Sequence, residues 1–525
     1  MNDRTTFLAH ALALSALHGP GPWPDGGFPL PDEPPRRDGE DGPVMSSVVV
    51  DGVRTHHVGT RAEPAAAREV IALLEAAISE SPDPAVLDRL HAFLARQSAV
   101  DLADDLVTEL RSRSLPRGPL HRVARHLTEY GSARNTVKLG IVLLGECGNE
   151  RDRGLLLLLG ALEELTLYAV VALVKTQPDR HRAAYELARR VKDWGRVHAV
   201  ERLEGSDDPE IRAWLLREGY RNGIMDEYLA HLAATTGDLY TALLEPDVDA
   251  ALLDGIGGIL AALAMGGPAK DMADYDDAVP AMHRYAELAA TAEPTLDVLD
   301  HLLTIERCAL RSDGDIAWPQ GEPERLAHRY QVLLARPVWR ELVLTHLNDL
   351  LDTTPHTFNV ALSCAGRLGM PVLPQALHHL EREPFNAYAW QWAVNNSDSE
   401  TITSVITLAM RVLPLDALAD GPTTSRGRGR RYAPDHALDA IINRLDRYPG
   451  VGLDLLRIAL SNRVVHIRRR ALQVLTTWPA ENRPHRLRAW ISAAATLEPD
   501  RRLQEQMQAF LKDRTETAQH EPETD

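Results

Sequence analysis

Residues 137–144 read VKLGIVLL, residues 167–174 read LYAVVALV and residues 197–204 read VHAVERLE, each thirty positions after the last. Residues 227–234, EYLAHLAA, continue the register more faintly. Across the four stretches the third position is Leu139, Ala169, Ala199 and Leu229, and the seventh is Leu143, Leu173, Leu203 and Ala233. Residues four apart share one face of a helix, so these pairs mark the apolar stripe of an equivalent helix in each unit. Thirty residues hold two helices of about three and two turns with short connections. A hairpin of that size cannot bury its own apolar face, so neighbouring units must cover one another. The spacing predicts an all-α chain, an α-solenoid of helical hairpins.

The rest of the sequence agrees with that class. Of 525 residues, 44% are hydrophobic and only 5% aromatic. Ala and Leu, the strongest helix formers, dominate over the branched and aromatic residues that strands favour. From residue 64 onward Gly, Pro and Asp punctuate the chain at intervals of about one helix. An apolar helix is expected near the start, over residues 7–17, followed by GPGPWPDGGFPLPDEPPRRDGEDGP at 19–43. So much Pro and Gly makes an extended strap, with Trp23 and Phe28 as its anchors. Residues 47–58, with Val-rich arms around Asp51-Gly52, read as one small β-hairpin. Composition breaks then suggest residues 1–63 as helix, strap and hairpin, and 64–265 as helical repeats. Residues 266–420 follow as a second repeat stack, 421–514 as a basic helical section with a flexible Arg/Gly loop, and 515–525 as a disordered acidic tail.

Two stretches resemble HEAT-type helical repeats in residue detail. SDDPEIRAWL at 206–215 and NRVVHIRRRALQVL at 462–475 are similar to the junction entering the second helix of such a unit, and imply a HEAT-like solenoid. The middle of the chain also resembles a bacterial family often labelled limonene hydroxylase. The likeness lies in WGRVHAVERLEGSDDPEIRAWLLREGYRNGIMDEYLA at 194–230 and TVKLGIVLLG at 136–145. That label implies oxidation of a small apolar terpene. Such chemistry needs haem, flavin or a non-haem metal, because side chains alone do not activate dioxygen.

No motif for any of these stands in the sequence. Glu-x-x-His and His-Glu-x-x-His are absent, and no Walker loop or Gly-x-Ser-x-Gly elbow occurs. The adjacent pairs His56-His57 and His378-His379 remain, with Glu381 two positions beyond His379. On a helix those two diverge, so a solvated face is expected there. The acidic run Asp271, Asp274, Asp276 and Asp277 lacks the glycine and terminal glutamate of a calcium loop. Gly255, Gly257 and Gly258 lack both the preceding strand and the third glycine of a dinucleotide turn, and fit a closely packed helix instead. Cys147, Cys308 and Cys364 are too few and too scattered for a disulfide framework or a thiolate cage. No cofactor or metal ligand is therefore expected, and no catalytic residue is assigned.

Charge supplies the one candidate surface. The net charge is −18, against nucleic-acid binding by the whole molecule. Between residues 421 and 514, however, eighteen Arg and Lys face nine Asp and Glu. Arg426, Arg428, Arg430 and Arg431 sit on a Gly-spaced loop, Arg468, Arg469 and Arg470 on a helix, and Trp478 and Trp490 are interleaved. Guanidinium groups beside indoles suit an acidic protein tail or phosphates. The expected function is a non-catalytic, cytoplasmic, helical-repeat scaffold for a protein or peptide partner. A hydroxylase, or nucleic-acid binding through residues 421–514, is the alternative. No apolar run reaches the ~20 residues of a membrane span.

Overall fold

The computed structural model describes residues 5–33, 47–78, 84–311, 316, 318–349 and 354–512. Among the described residues there are twenty-nine α-helices and no strand, so the chain is all-α. Helix starts follow local chemistry. The Asp208 carboxylate accepts from the N–H groups of Glu210 and Ile211 ahead of the helix Pro209–Trp214, whose first residue needs no donor partner. Asp249 does the same for Leu252. No helix among the described residues is long and apolar enough to cross a membrane.

The chain divides into two compact units. The first takes the described residues up to 293 together with those of 304–333, and the second takes 294–303 and those from 334 on. In the first unit, after α1 (Ser47–Val53), one row of helices packs in series. It comprises α2 (Pro64–Ala77), α3 (Ala99–Ser112), α4 (Arg134–Cys147), α5 (Glu163–Thr176), α6 (Asp193–Val200), α7 (Glu227–Gly237) and α8 (Ala250–Met265). Intervening helices, among them Arg117–Tyr130, Arg153–Gly160 and Arg180–Ala188, pack against this row. All eight stripe residues of the thirty-residue register, on α4 to α7 and the turn after α6, are fully buried. Gly255 lies inside α8, where an added Cβ would sit 2.1 Å from the Leu216 carbonyl oxygen. Its glycine serves close helix packing.

The second unit repeats the arrangement with α9 (Pro355–Arg367), α10 (Leu373–Arg382), α11 (Ala387–Asn395), α12 (Ala433–Ile442), α13 (Leu453–Leu460), α14 (Val465–Thr477) and α15 (Arg501–Lys512). Here α9, α11, α12, α14 and α15 pack in series, while α10 and α13 lie beside them.

Residues 47–58 correct the expected β-hairpin. They form α1 and one wide turn, Arg54–Val58, closed by the Gly59 N–H on the Arg54 carbonyl at 2.8 Å. The cause is tertiary. On a helix Val48, Asp51, Gly52 and His56 share a face, whereas a hairpin would send neighbours to opposite sides. That face is needed: Val48, Asp51 and Gly52 are all buried. Gly52 meets the Trp194 indole, where an added Cβ would lie 2.4 Å from a ring carbon. Packing thus overrides the strand preference of valine.

Asp51 enters a buried charge network. The Lys138 ammonium, 1% exposed, stands 2.8 Å from Asp51 Oδ2 and 2.6 Å from Glu164 Oε1. The Tyr168 hydroxyl donates to Asp51 Oδ2 at 3.0 Å, and the Ser47 hydroxyl donates to Glu164. Arg134 donates to Ser47 at 2.9 Å and grips Asp32 through two nitrogens, tying the Pro-rich strap to the same place. Trp23 is buried, as an anchor should be, while Phe28 is only half-buried. Removing one ion from such a network leaves its partners charged in an apolar interior. Lys138→Met, which keeps the volume and deletes the charge, is expected to cost about 3–5 kcal/mol in urea denaturation.

Candidate functional site

The second position of the thirty-residue register carries a polar group in all four units, Lys138, Tyr168, His198 and Tyr228, and in the first three both its neighbours are apolar. All four point at residues 47–58. Lys138 and Tyr168 meet Asp51, as described. His198 and Tyr228 bring their rings to 5.4 and 5.5 Å of the His56 ring, with the Trp194 ring 5.2 Å away. The exposed His57 Nε2 is 2.6 Å from the Tyr228 hydroxyl. One short segment therefore lies along four consecutive helices of the row, and the cluster around His56 sits at its C-terminal end.

Within that cluster, Glu201 stands three residues after His198, on the turn that continues α6, so the two side chains share a face. His56 Nε2 is 2.7 Å from Glu201 Oε1, and His56 Nδ1 is 2.9 Å from the Gly52 carbonyl oxygen. His198 Nδ1 lies 4.0 Å from Glu201 Oε2, beyond hydrogen-bonding distance, and His198 makes no hydrogen bond to any described residue. Two imidazoles and a carboxylate thus offer one ligand atom each, all within 4.8 Å of one another.

The environment splits the two histidines. The hydrogen bond and charge of Glu201 raise the pKa of His56, outweighing partial burial. Burial pushes His198 down to about 4, so it is neutral at physiological pH. Burial also works to raise Glu201, but the hydrogen bond and charge of His56 outweigh it and hold the carboxyl below its ordinary value.

The helix carrying His198 is held at its start by another carboxyl. Glu163 accepts the backbone N–H groups of Trp194 and Gly195, beside Asp193. Burial, and then the Asp193 charge, raise its pKa to about 7 from 4.5. Asp193 itself adopts a left-handed backbone, φ 48°, to begin α6.

The arginines of the basic section have diverse fates. Arg426, Arg428 and Arg430 are exposed, and their side chains have no ionic partner among the described residues. Arg431 lies over the Tyr432 ring, 4.9 Å from its centroid. Their loop is tied by hydrogen bonds to the start of α14 and to α12. The Thr423 hydroxyl donates to the Arg463 carbonyl at 2.8 Å, the Val465 N–H to the Ser425 carbonyl at 3.1 Å, and His436 Nε2 to Gly427 at 2.7 Å.

Arg468 belongs to no surface: it is fully buried, paired with the buried Glu498 and donating to the Asn462 carbonyl at 2.7 Å. A helix facing two sides of a packed row gives consecutive arginines opposite fates, and Arg468 falls on the apolar stripe with Ala471 and Leu472. Arg469 and Arg470 stay near the surface, 3.9 Å from Asp500 and 3.8 Å from Asp439. Trp478 is buried, its indole N–H on the Leu445 carbonyl at 2.8 Å, and Trp490 is half-buried beneath Arg457. His379, expected on a solvated face, is buried and stacked on Phe358 with centroids 3.7 Å apart.

No protein family, no curated protein and no solved structure gives a match to this chain.

Nothing in the sequence pattern named His198 or Glu201. Two signals were present: a polar residue at the same register position in four successive helices, and His-x-x-Glu, the reverse order of the metal pattern sought. What the sequence withheld was the approach of His56 across 142 positions of chain.

Glu163 gives a pH prediction with a definite sign. Its folded pKa lies above its unfolded value, so the proton favours folding, and stability falls as pH rises from about 4.5 through about 7. Glu163→Gln keeps an acceptor for the Trp194 and Gly195 N–H groups but cannot ionise. Its stability relative to the natural chain is expected to rise between pH 5 and pH 8, by at most about 3 kcal/mol. Urea midpoints at several pH values measure this; a constant difference contradicts it.

Proposed function

We propose that this chain is a helical-repeat scaffold, HEAT-like in its second unit as in its first, that binds an acidic protein or peptide partner. The observation that carries this reading is the loop of Arg426, Arg428 and Arg430. Three guanidinium groups stand exposed without ionic partners among the described residues on a hydrogen-bonded loop, while Arg463, Arg468, Arg469 and Arg470 nearby are engaged with Asp435, Glu498, Asp500 and Asp439. A protein that needed these charges only to balance its own acids would pair them. The serial packing of helices within each unit supports the scaffold part, because stacked hairpins present long surfaces built from successive turns.

The acidic net charge, −18, opposes any polyanion at long range and opposes nucleic acid most, because its charge density is highest. Carboxylates meet the guanidinium fork in pairs, which gives an acidic peptide both charge and geometry to read.

A second reading, a hydroxylase of the kind the middle region resembles, is favoured by one observation. Two imidazoles and one carboxylate are the donor set that holds non-haem iron(II) in oxygenases. That reading requires a bound transition metal; a chain that takes none up removes it.

The scaffold reading is tested with a fluorescein-labelled glutamate-rich peptide and a DNA duplex of similar charge, followed by anisotropy at rising salt. Binding of the peptide that weakens with salt and is lost in the triple variant R426E/R428E/R430E is expected. Peptide binding unchanged in that variant, or preferred binding of the duplex, contradicts it.

A further inference from the structure

We propose that His56, His198 and Glu201 form a site for one divalent transition-metal ion of the zinc or iron(II) class. The site rests on neither functional reading above; the hydroxylase reading needs it and the scaffold reading does not.

The spacing fits. With metal–ligand bonds of about 2.0–2.1 Å in a tetrahedral site, neighbouring ligand atoms lie about 3.4 Å apart. The distances of 2.7 Å between His56 Nε2 and Glu201 Oε1 and 4.0 Å between His198 Nδ1 and Glu201 Oε2 bracket that value. The three ligand atoms lie within 4.8 Å of one another, so binding one ion would close the widest gap by up to about 1.4 Å through side-chain movement.

The donors are also prepared. His56 Nδ1 faces the Gly52 carbonyl, so that nitrogen carries the hydrogen, with the Thr55 hydroxyl 3.0 Å away as a second neighbour. Nε2 donates a hydrogen to the Glu201 carboxylate, and an ion would take the place of that proton between the two. A backbone carbonyl on the far nitrogen is the arrangement that orients metal-bound imidazoles.

His198 supplies the independent observation. It is 3% exposed, brings its ring to 5.4 Å of the His56 ring, and makes no hydrogen bond to any described residue. A metal ion would give this neutral imidazole a partner. The proton-only alternative, an imidazolium–carboxylate pair between His56 and Glu201, gives His198 none.

Two nitrogens and one oxygen select the class. Imidazole suits zinc and iron, whereas magnesium and calcium require sites built from oxygen. The Glu201 carboxylate offsets part of the ion's charge, and Arg202, the cation whose field reaches both histidines, is itself exposed. The His56 and Glu201 side chains are 16% and 31% exposed, which leaves a way in from solvent. An ion there would join residues 47–58 to the helix α6 by bonds that neither segment makes alone.

The full-length chain, stripped with a chelator, is titrated calorimetrically with zinc chloride, with anaerobic iron(II), and with magnesium and calcium chloride. Cobalt(II) absorption serves as a spectroscopic reporter of nitrogen and oxygen ligation. One zinc or iron(II) per chain is expected, with magnesium and calcium far weaker. His56→Gln and Glu201→Gln, each checked for an unchanged apo melting profile, are expected to weaken binding by more than about 100-fold and to abolish the cobalt bands. His378→Gln, on the other unit, is expected to leave both unchanged. No stoichiometric uptake, meaning an ion pair only, would overturn the site. So would uptake that both variants retain, or calcium binding as tight as zinc.

Discussion

A row of apolar helices that carries a polar group at one register position must find partners for that group or bear its burial. In the first unit this constraint falls on Lys138, Tyr168, His198 and Tyr228. Their partners come from a segment 87 to 171 residues earlier, residues 47–58, which supplies Asp51 to the first two and His56 with His57 to the others. A charge such as that of Lys138 is tolerable in the interior only because Asp51 and Glu164 stand within 2.8 Å. The segment is therefore part of the core of its unit, and its helical form is imposed by what it must touch.

This explains which features were legible in the sequence. The apolar stripe on α4 to α7 was, because burial on one helical face is a local pattern with a fixed period, and all eight of its residues are buried. The all-α class followed from the same pattern and from the excess of Ala and Leu. The Asp208-Pro209 helix start was legible too, since capping is a matter of two or three neighbours. Residues 47–58 were misread because Val-Val-Val before Asp-Gly is a strand signal only when nothing else acts on it. Trp194 and Lys138, far along the chain, decide otherwise. The cluster of His56, His198 and Glu201 was hidden for the same reason: two of its members are local and the third arrives by tertiary packing.

The basic section shows the limit of counting charges. Arg468, Arg469 and Arg470 are consecutive, and composition treats them alike. On α14 they point in three directions about 100° apart, so the first enters the core and pairs with Glu498 while the other two face acids near the surface. Arg426, Arg428 and Arg430, on a loop whose backbone is held by hydrogen bonds to the start of α14, escape that fate. Whether an arginine recognises a partner or stabilises its own fold is decided by the backbone that carries it.

The central claim is that residues 47–58 are a helical part of the first unit, buried along the face of Val48, Asp51 and Gly52 and held by the polar positions of α4 to α7. Amide hydrogen exchange, followed by mass spectrometry on the full-length chain, addresses it most directly. Exchange at Val49–Gly52 as slow as that in α5, and accelerated together with it by Lys138→Met, is the result expected. Exchange across 47–58 at the rate of an unstructured peptide, while α5 remains protected, would contradict the account.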